Sequence, residues 1–231
     1  MRLVMLPGLD GSGDLFRPLL QVLPSQLTSQ VIPYPAHRVL SYDALVPFVQ
    51  EAFPQREPFV LLGESFGGPL ALQCAAAPPV NLRAVILSAT FATNPVPYHL
   101  RWLPWAPSIL RFKPPDALIR YYAAGMDSSQ DLVELFQQAK SKTRWQVLAA
   151  RLQAVREVDV RTALQNCRVP LLCLRAIRDR LVKRRCHLEM LSVRPDMKVI
   201  EMNSPHFLLQ RRPDEAAKAI MTFINSLPLP G

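Results

Sequence analysis

The chain has few of the residues that bind metals or form cross-links: its 231 residues include four cysteines and four histidines. Cys74, Cys167, Cys173 and Cys186 lack metal-ligand spacing. Cys74 and Cys173 fall in a predicted buried helix and strand, so reduced core cysteines are expected, with no disulfide framework and no metal. No apolar run is long enough to span a bilayer, and the apolar start at Leu3 runs straight into Pro7-Gly8, where a secretory signal would need a cleavage site. A cytoplasmic protein is the expectation. Acidic residues are outnumbered, 18 against 27 basic ones, for a formal net charge of +9. No nucleic-acid recognition motif accompanies that excess, so no nucleic-acid partner is expected. The cations at Arg178, Arg180, Lys183, Arg211 and Arg212 can steer anionic substrates, hold the protein weakly at an anionic membrane surface, or simply stay solvated.

Hydrophobic residues make up 49% of the chain, enough for a large core in one domain carrying an insertion. Strand-like runs at Leu3–Leu6, Val31–Pro33, Phe59–Leu62, Ala84–Ser88, Pro170–Leu174 and Lys198–Met202 alternate with helical stretches near Phe16–Leu23, Tyr42–Phe53, Pro69–Ala77, Lys183–Leu191 and Pro213–Leu227. That alternation predicts an α/β protein with a mostly parallel, doubly wound sheet of about six strands. It fails between 94 and 155, where prolines cluster and helical patterns follow at Asp116–Ala123, Ser129–Lys140 and Arg144–Val155. The expected layout is therefore a core of 1–93 and 156–231 interrupted by a helical insertion of 94–155.

The stretch Phe59-Val60-Leu61-Leu62-Gly63-Glu64-Ser65-Phe66-Gly67-Gly68 carries the sharpest signal. An apolar run ends in Gly-x-Ser-x-Gly and turns into a small-residue helix. This is the context of a nucleophile elbow, with Ser65 as nucleophile. A serine hydroxyl is a poor nucleophile at neutral pH and needs a histidine base oriented by a carboxylate. Of His37, His99, His187 and His206, only His206 lies on a turn-rich loop just after a strand-like run. His187 falls in a predicted helix and is expected to be a partly exposed surface residue. Asp179 follows the run Pro170–Arg175 by a few residues and is the best acid, with Asp159 and Asp196 as rivals that suit a cap and a turn. Arg178 and Arg180 flank Asp179, and mere pairing with them is the bland alternative.

The order Ser65, Asp179, His206 and the elbow resemble the α/β-hydrolases of the small bacterial carboxylesterase kind, similar in layout to the pimeloyl-ester carboxylesterases and related lipolytic enzymes. The resemblance spans essentially the whole chain and extends to Leu3-Val4-Met5-Leu6-Pro7-Gly8-Leu9-Asp10-Gly11-Ser12-Gly13, which is similar to the family's first strand and oxyanion loop. That segment lacks the lysine of a phosphate-binding loop and the glycine spacing of a dinucleotide fingerprint. The resemblance implies backbone oxyanion donors at Leu9 and Phe66, a helical cap made by the insertion, and no cofactor. Pro7-Gly8 stands where family members often have His-Gly, and Ala176 where they often have glycine ahead of the acid. The two antiparallel strands that open many members are not seen, which reads as a trimmed core. Trp102, Trp105 and Tyr122 are candidate substrate contacts from the cap. The expected function is a serine carboxylesterase acting on small-molecule esters of short or medium acyl chain. Thioesterase, perhydrolase and C–C hydrolase chemistry, or ligand binding on an inactive scaffold, are the alternatives.

Overall fold

The computed structural model describes residues 1–96 and 107–228. Trp102 and Trp105 lie outside these. The six strands β1 (Arg2–Leu6), β2 (Thr28–Val31), β3 (Phe59–Glu64), β4 (Leu82–Ser88), β5 (Leu171–Ala176) and β6 (Lys198–Met202) form one sheet in the order β2-β1-β3-β4-β5-β6. Every neighbouring pair is parallel. Parallel strands need crossovers, and these supply the helices α1 (Arg17–Val22), α2 (Tyr42–Glu51), α3 (Gly67–Ala76), α4 (Asp116–Ile119) and α5 (Gln130–Ser141). In the second half come α6 (Trp145–Glu157), α7 (Arg161–Asn166), α8 (Arg184–Val193), α9 (Leu208–Arg211) and α10 (Pro213–Asn225).

Both sheet faces are buried, which is why the central strands read as continuous apolar runs. Leu3, Met5, Val60, Leu62, Leu172 and Leu174 pack under α1, α9 and α10. The alternate residues Val4, Leu6, Phe59, Leu61, Leu171 and Cys173 pack under α2, α3, α7 and α8. Burying such side chains stabilises by roughly 1.5–3 kcal/mol each, so this double core fixes the strand ends to which everything below is attached.

From β1 the chain moves outward to β2 and then returns to β3 on the other side of β1. The carboxyl ends of β1 and β3 therefore lie side by side at a topological switch point, where open α/β sheets form a crevice. Two expectations need correction. The edge strand is Thr28–Val31 instead of Val31–Pro33, because backbone pairing with β1 holds the polar residues Thr28, Ser29 and Gln30 in register. His187 is buried, because α8 turns it toward β5, with Nδ1 3.6 Å from the Cys173 sulfur. All four cysteines are buried and unpaired.

The connection between β4 and β5 is the long one. Its described part holds a 3-10 turn Pro107–Arg111, α4 running into a π-helical turn Arg120–Ala124, then α5, α6 and α7. Thr93 and Asp159 form an antiparallel bridge, and the Val160 N–H donates to the Ala92 carbonyl at 2.8 Å. The connection thus leaves and rejoins the sheet at one point. A small apolar cluster, including Ile119, Ala123, Leu132 and Val133, packs it onto Leu15 and Phe207. No described helix is long and apolar enough to cross a membrane.

Candidate active site

Ser65 follows β3 directly and sits at φ 50°, a left-handed conformation that costs a non-glycine residue about 1 kcal/mol or more. Hydrogen bonds hold it there. Its N–H donates to the Ser88 carbonyl at 2.9 Å, and its carbonyl accepts from Thr90 Oγ1 at 2.5 Å and from the Gly68 N–H at 3.0 Å. The turn is also sterically closed. A Cβ at Gly63 would collide with the Gly67 carbonyl, and one at Gly67 would meet the Leu6 carbonyl and stand 2.8 Å from the Pro7 carbonyl oxygen. The Gly-x-Ser-x-Gly spacing is therefore a packing requirement of β1, β3 and α3.

His206, on the loop after β6, reaches Ser65. Its Nε2 lies 3.0 Å from Ser65 Oγ, and its Nδ1 lies 2.7 Å from Asp179 Oδ2. An ionised carboxylate only accepts, so Nδ1 carries the proton and Nε2 is left to accept from the serine hydroxyl. Asp179 Oδ1 accepts the N–H groups of Leu181 and Val182, each at 2.8 Å, so both carboxylate oxygens are committed. The loops bearing Asp179 and His206 are stitched together: the Ile177 and Arg178 amides donate to the Met202 and Ser204 carbonyls, both at 3.0 Å. Phe207 N–H donates to the Ala123 carbonyl at 3.0 Å, tying the histidine loop to the π turn.

The rivals fall elsewhere. Asp159 pairs with Arg161, and Asp196 with Arg194. His37 is exposed, and His99 lies outside the described residues. The flanking arginines do not engage Asp179: Arg180 covers the Tyr121 ring and donates to the Tyr121 carbonyl, and Arg178 donates to the Asn203 carbonyl.

Burial works against the charged form of His206, but the charge and hydrogen bond of Asp179, with a smaller contribution from Glu64, leave it above the ordinary histidine range. Glu64 is buried beside the serine, and desolvation pushes its carboxyl up to about 7. Its Oε1 accepts from Gln210 Nε2 at 2.8 Å, and the same nitrogen donates to the Leu15 carbonyl at 3.1 Å. Neither Glu64 nor Gln210 was singled out by motif.

The loop after β1 faces the serine across the switch point. The Gly8 carbonyl accepts from the Gly11 N–H at 3.1 Å, and the trans peptide then directs the Leu9 N–H the opposite way. By the same planarity, the Phe66 N–H is opposed to the bound Ser65 carbonyl. Outside residues clamp this loop. Buried Arg151 of α6 donates to the carbonyls of Leu9 (2.9 Å), Asp10 (2.8 Å) and Pro35 (3.1 Å), with its guanidinium 5.3 Å from the Tyr34 ring centre. Thr143 Oγ1 adds a bond to the Asp10 carbonyl at 2.7 Å, and Tyr34 OH one to the Pro7 carbonyl at 3.0 Å. Sequence reasoning missed these groups. The one available signal was a cation at 151 among Leu148, Leu152 and Val155, on the apolar face of a predicted helix.

A cavity of about 540 Å³ opens over Ser65 and His206, walled by Leu9, Phe66, Phe91, Tyr122, Leu152 and Val155 among others. Of the three expected cap contacts, Tyr122 lines it. Among the described residues no group of three or more His, Cys, Asp or Glu is arranged to hold a metal.

A hydroxyl, imidazole and carboxylate joined in this order at the strand ends of a doubly wound parallel sheet define the class of α/β hydrolases. The chain belongs to the alpha/beta hydrolase family, whose model matches residues 3–219. Solved structures of similar fold include the enol-lactonase from Burkholderia xenovorans LB400, with 17% identity, a TM-score of 0.80, and 97% of this chain and 91% of that one covered. An esterase from Exiguobacterium antarcticum matches at 16% identity and a TM-score of 0.79, over 98% of this chain and 92% of its own. The bromoperoxidase from Bacillus anthracis matches at 16% identity and a TM-score of 0.78, over 97% and 92%. No curated protein matches the chain by sequence.

Proposed function

We propose that the protein is a serine carboxylic ester hydrolase. The observation that carries this reading is the bridging position of His206, 3.0 Å from Ser65 Oγ and 2.7 Å from Asp179 Oδ2. Ser65 Oγ attacks the ester carbonyl carbon while His206 Nε2 takes its proton, and Asp179 stabilises the imidazolium through Nδ1–H. The carbonyl oxygen becomes an oxyanion held by the amides of Leu9 and Phe66. The tetrahedral intermediate collapses, the C–O bond to the alcohol breaks, and Nε2 returns the proton to the departing alkoxide. Water then attacks the acyl-enzyme by the same route, releasing the acid and restoring Ser65. Residues 94–155 serve as the cap, excluding water and shaping an apolar acyl pocket in the 540 Å³ cavity.

The partner is an apolar small-molecule ester, without cofactor or nucleic acid, and the protein acts in the cytoplasm, where four unpaired cysteines stay reduced. Its basic surface gives at most a weak attraction to anionic membranes. The test is hydrolysis of p-nitrophenyl butyrate by the native protein and by Ser65→Ala, with folding of both checked by circular dichroism. A loss of about 10⁴-fold or more in kcat is expected for the variant. A folded native protein without turnover, or a variant as active as the native one, rejects the reading.

A further inference from the structure

We propose that the substrates are esters of long, unbranched hydrocarbon chains, whose far end occupies a second apolar chamber under the helical connection; this rests on the esterase reading. The second chamber has a volume of about 460 Å³ and takes its outer wall from Ile109, Leu110, Phe112, Leu118 and Leu148. It adjoins the cavity over Ser65, with Leu9, Tyr122, Ala123, Phe136 and Leu181 in the walls of both.

The chamber's chemistry selects its occupant. Its walls are mostly apolar, with Asp10, Lys113 and Lys140 as the charged members. Lys140 Nζ donates to the carbonyls of Leu110 (2.8 Å) and Phe112 (3.0 Å), which turns two of its three N–H groups onto the backbone. The Asp10 carboxylate accepts from the Ser12 N–H (2.9 Å) and Ser12 Oγ (2.6 Å). A polar acyl terminus would lose its water against the apolar part of these walls and gain no partner there. Yet Ile109 and Phe112 are 67% and 70% exposed, and Leu118 50%. Large apolar side chains left in contact with solvent around one concave site are the mark of a surface that an apolar ligand covers.

Helix α6 gives the two chambers a common floor. Leu148 lies in the outer one, Leu152 and Val155 in the inner one, at the spacing of a single helix face. Arg151, between them, holds the Leu9 carbonyl. A chain lying along this face is thus held in line with the amide that is to receive the oxyanion.

The test is kcat/KM for p-nitrophenyl acetate, butyrate, octanoate, dodecanoate and palmitate, at concentrations below micelle formation, for the native protein, Ser65→Ala, Leu118→Asp and Ile109→Asp. Each methylene that enters an apolar site contributes up to about fourfold, so kcat/KM is expected to keep rising from octanoate to dodecanoate. Both aspartate variants alter half-exposed or exposed positions that folding tolerates. Each should lower the ratio of dodecanoate to butyrate kcat/KM by at least tenfold. A native profile that peaks at butyrate or octanoate and then falls, with Ser65→Ala inactive, overturns the chamber and leaves the esterase reading standing. Aspartate variants that lower kcat/KM for both substrates equally overturn the chamber in the same way. Failure of the native protein on every ester overturns both.

Discussion

Two loops meet at the switch point, and they are held in opposite ways. The turn at Ser65 is held from within: Gly63 and Gly67 let β1, β3 and α3 approach so closely that no side chain fits, and the serine is forced to φ 50°. The loop Pro7–Gly13 is held from without, by Arg151, Thr143 and Tyr34 donating to its carbonyls. The first device relies on backbone sterics, which do not relax, and the second on side chains that a substitution can remove one at a time. Ser65 is thereby fixed by the core of the protein. The proposed oxyanion loop is fixed by α6, so the connection between β4 and β5 also sets its geometry.

The sharpest way to break this contrast is Gly67→Ala. The added methyl meets the backbone carbonyls of Leu6 and Pro7, neither of which can move without disturbing β1. A cost of about 3 kcal/mol or more is expected, read as a fall of roughly 6 °C or more in Tm, with activity lost alongside folding. A variant as stable as the native protein would mean that the elbow has slack. Arg151→Met should act differently. It leaves carbonyls of Leu9, Asp10 and Pro35 short of a donor, at a cost of about 3 kcal/mol. Its distinctive effect is on catalysis: with Leu9 loosened, kcat falls about 100-fold while KM changes little. Arg151→Lys, which cannot fork to three carbonyls, should recover only part of that. An unchanged kcat in a destabilised Arg151→Met protein would show that the loop keeps its shape unaided.

The same contrast explains what the sequence made legible. The elbow was readable because its constraints are local: five residues, a preceding apolar run and a following small-residue helix. Asp179 and His206 were readable because each follows a strand-like run, and a parallel sheet delivers the ends of such runs to one edge. Arg151 and Thr143 were not, because their partner Asp10 lies 141 and 133 residues away and no motif links them. Glu64 sat inside the motif at a position the pattern leaves open. Its burial depends on α9, a four-residue helix with too little periodicity to predict. The edge strand was misregistered because Thr28, Ser29 and Gln30 have no alternating apolar pattern, and only pairing with β1 sets their place. His187 looked like surface because helical position alone does not say which side of α8 faces β5.

The smallest expected effect concerns Glu64, which ties the elbow to α9. Its carboxyl titrates near 7 in the folded chain against an ordinary 4.5. Between those values the unfolded chain has released the proton that the folded chain retains, so stability declines as pH rises through this window, and the full penalty applies above about pH 7. A neutral amide escapes the penalty. Glu64→Gln should therefore match the native stability near pH 4 and exceed it at pH 8 by at most about 3 kcal/mol, read from unfolding curves at the two pH values. The catalytic readout has its own sign. His206 must be neutral to act as base, and the nearby carboxylates raise its pKa, so the acid limb of kcat/KM should lie above the ordinary histidine value of 6.5. Removing the Glu64 charge lets His206 release its proton more readily, and the limb should move to lower pH. A limb that stays put while the stability difference appears would mean that Glu64 keeps its proton throughout catalysis and serves the fold alone.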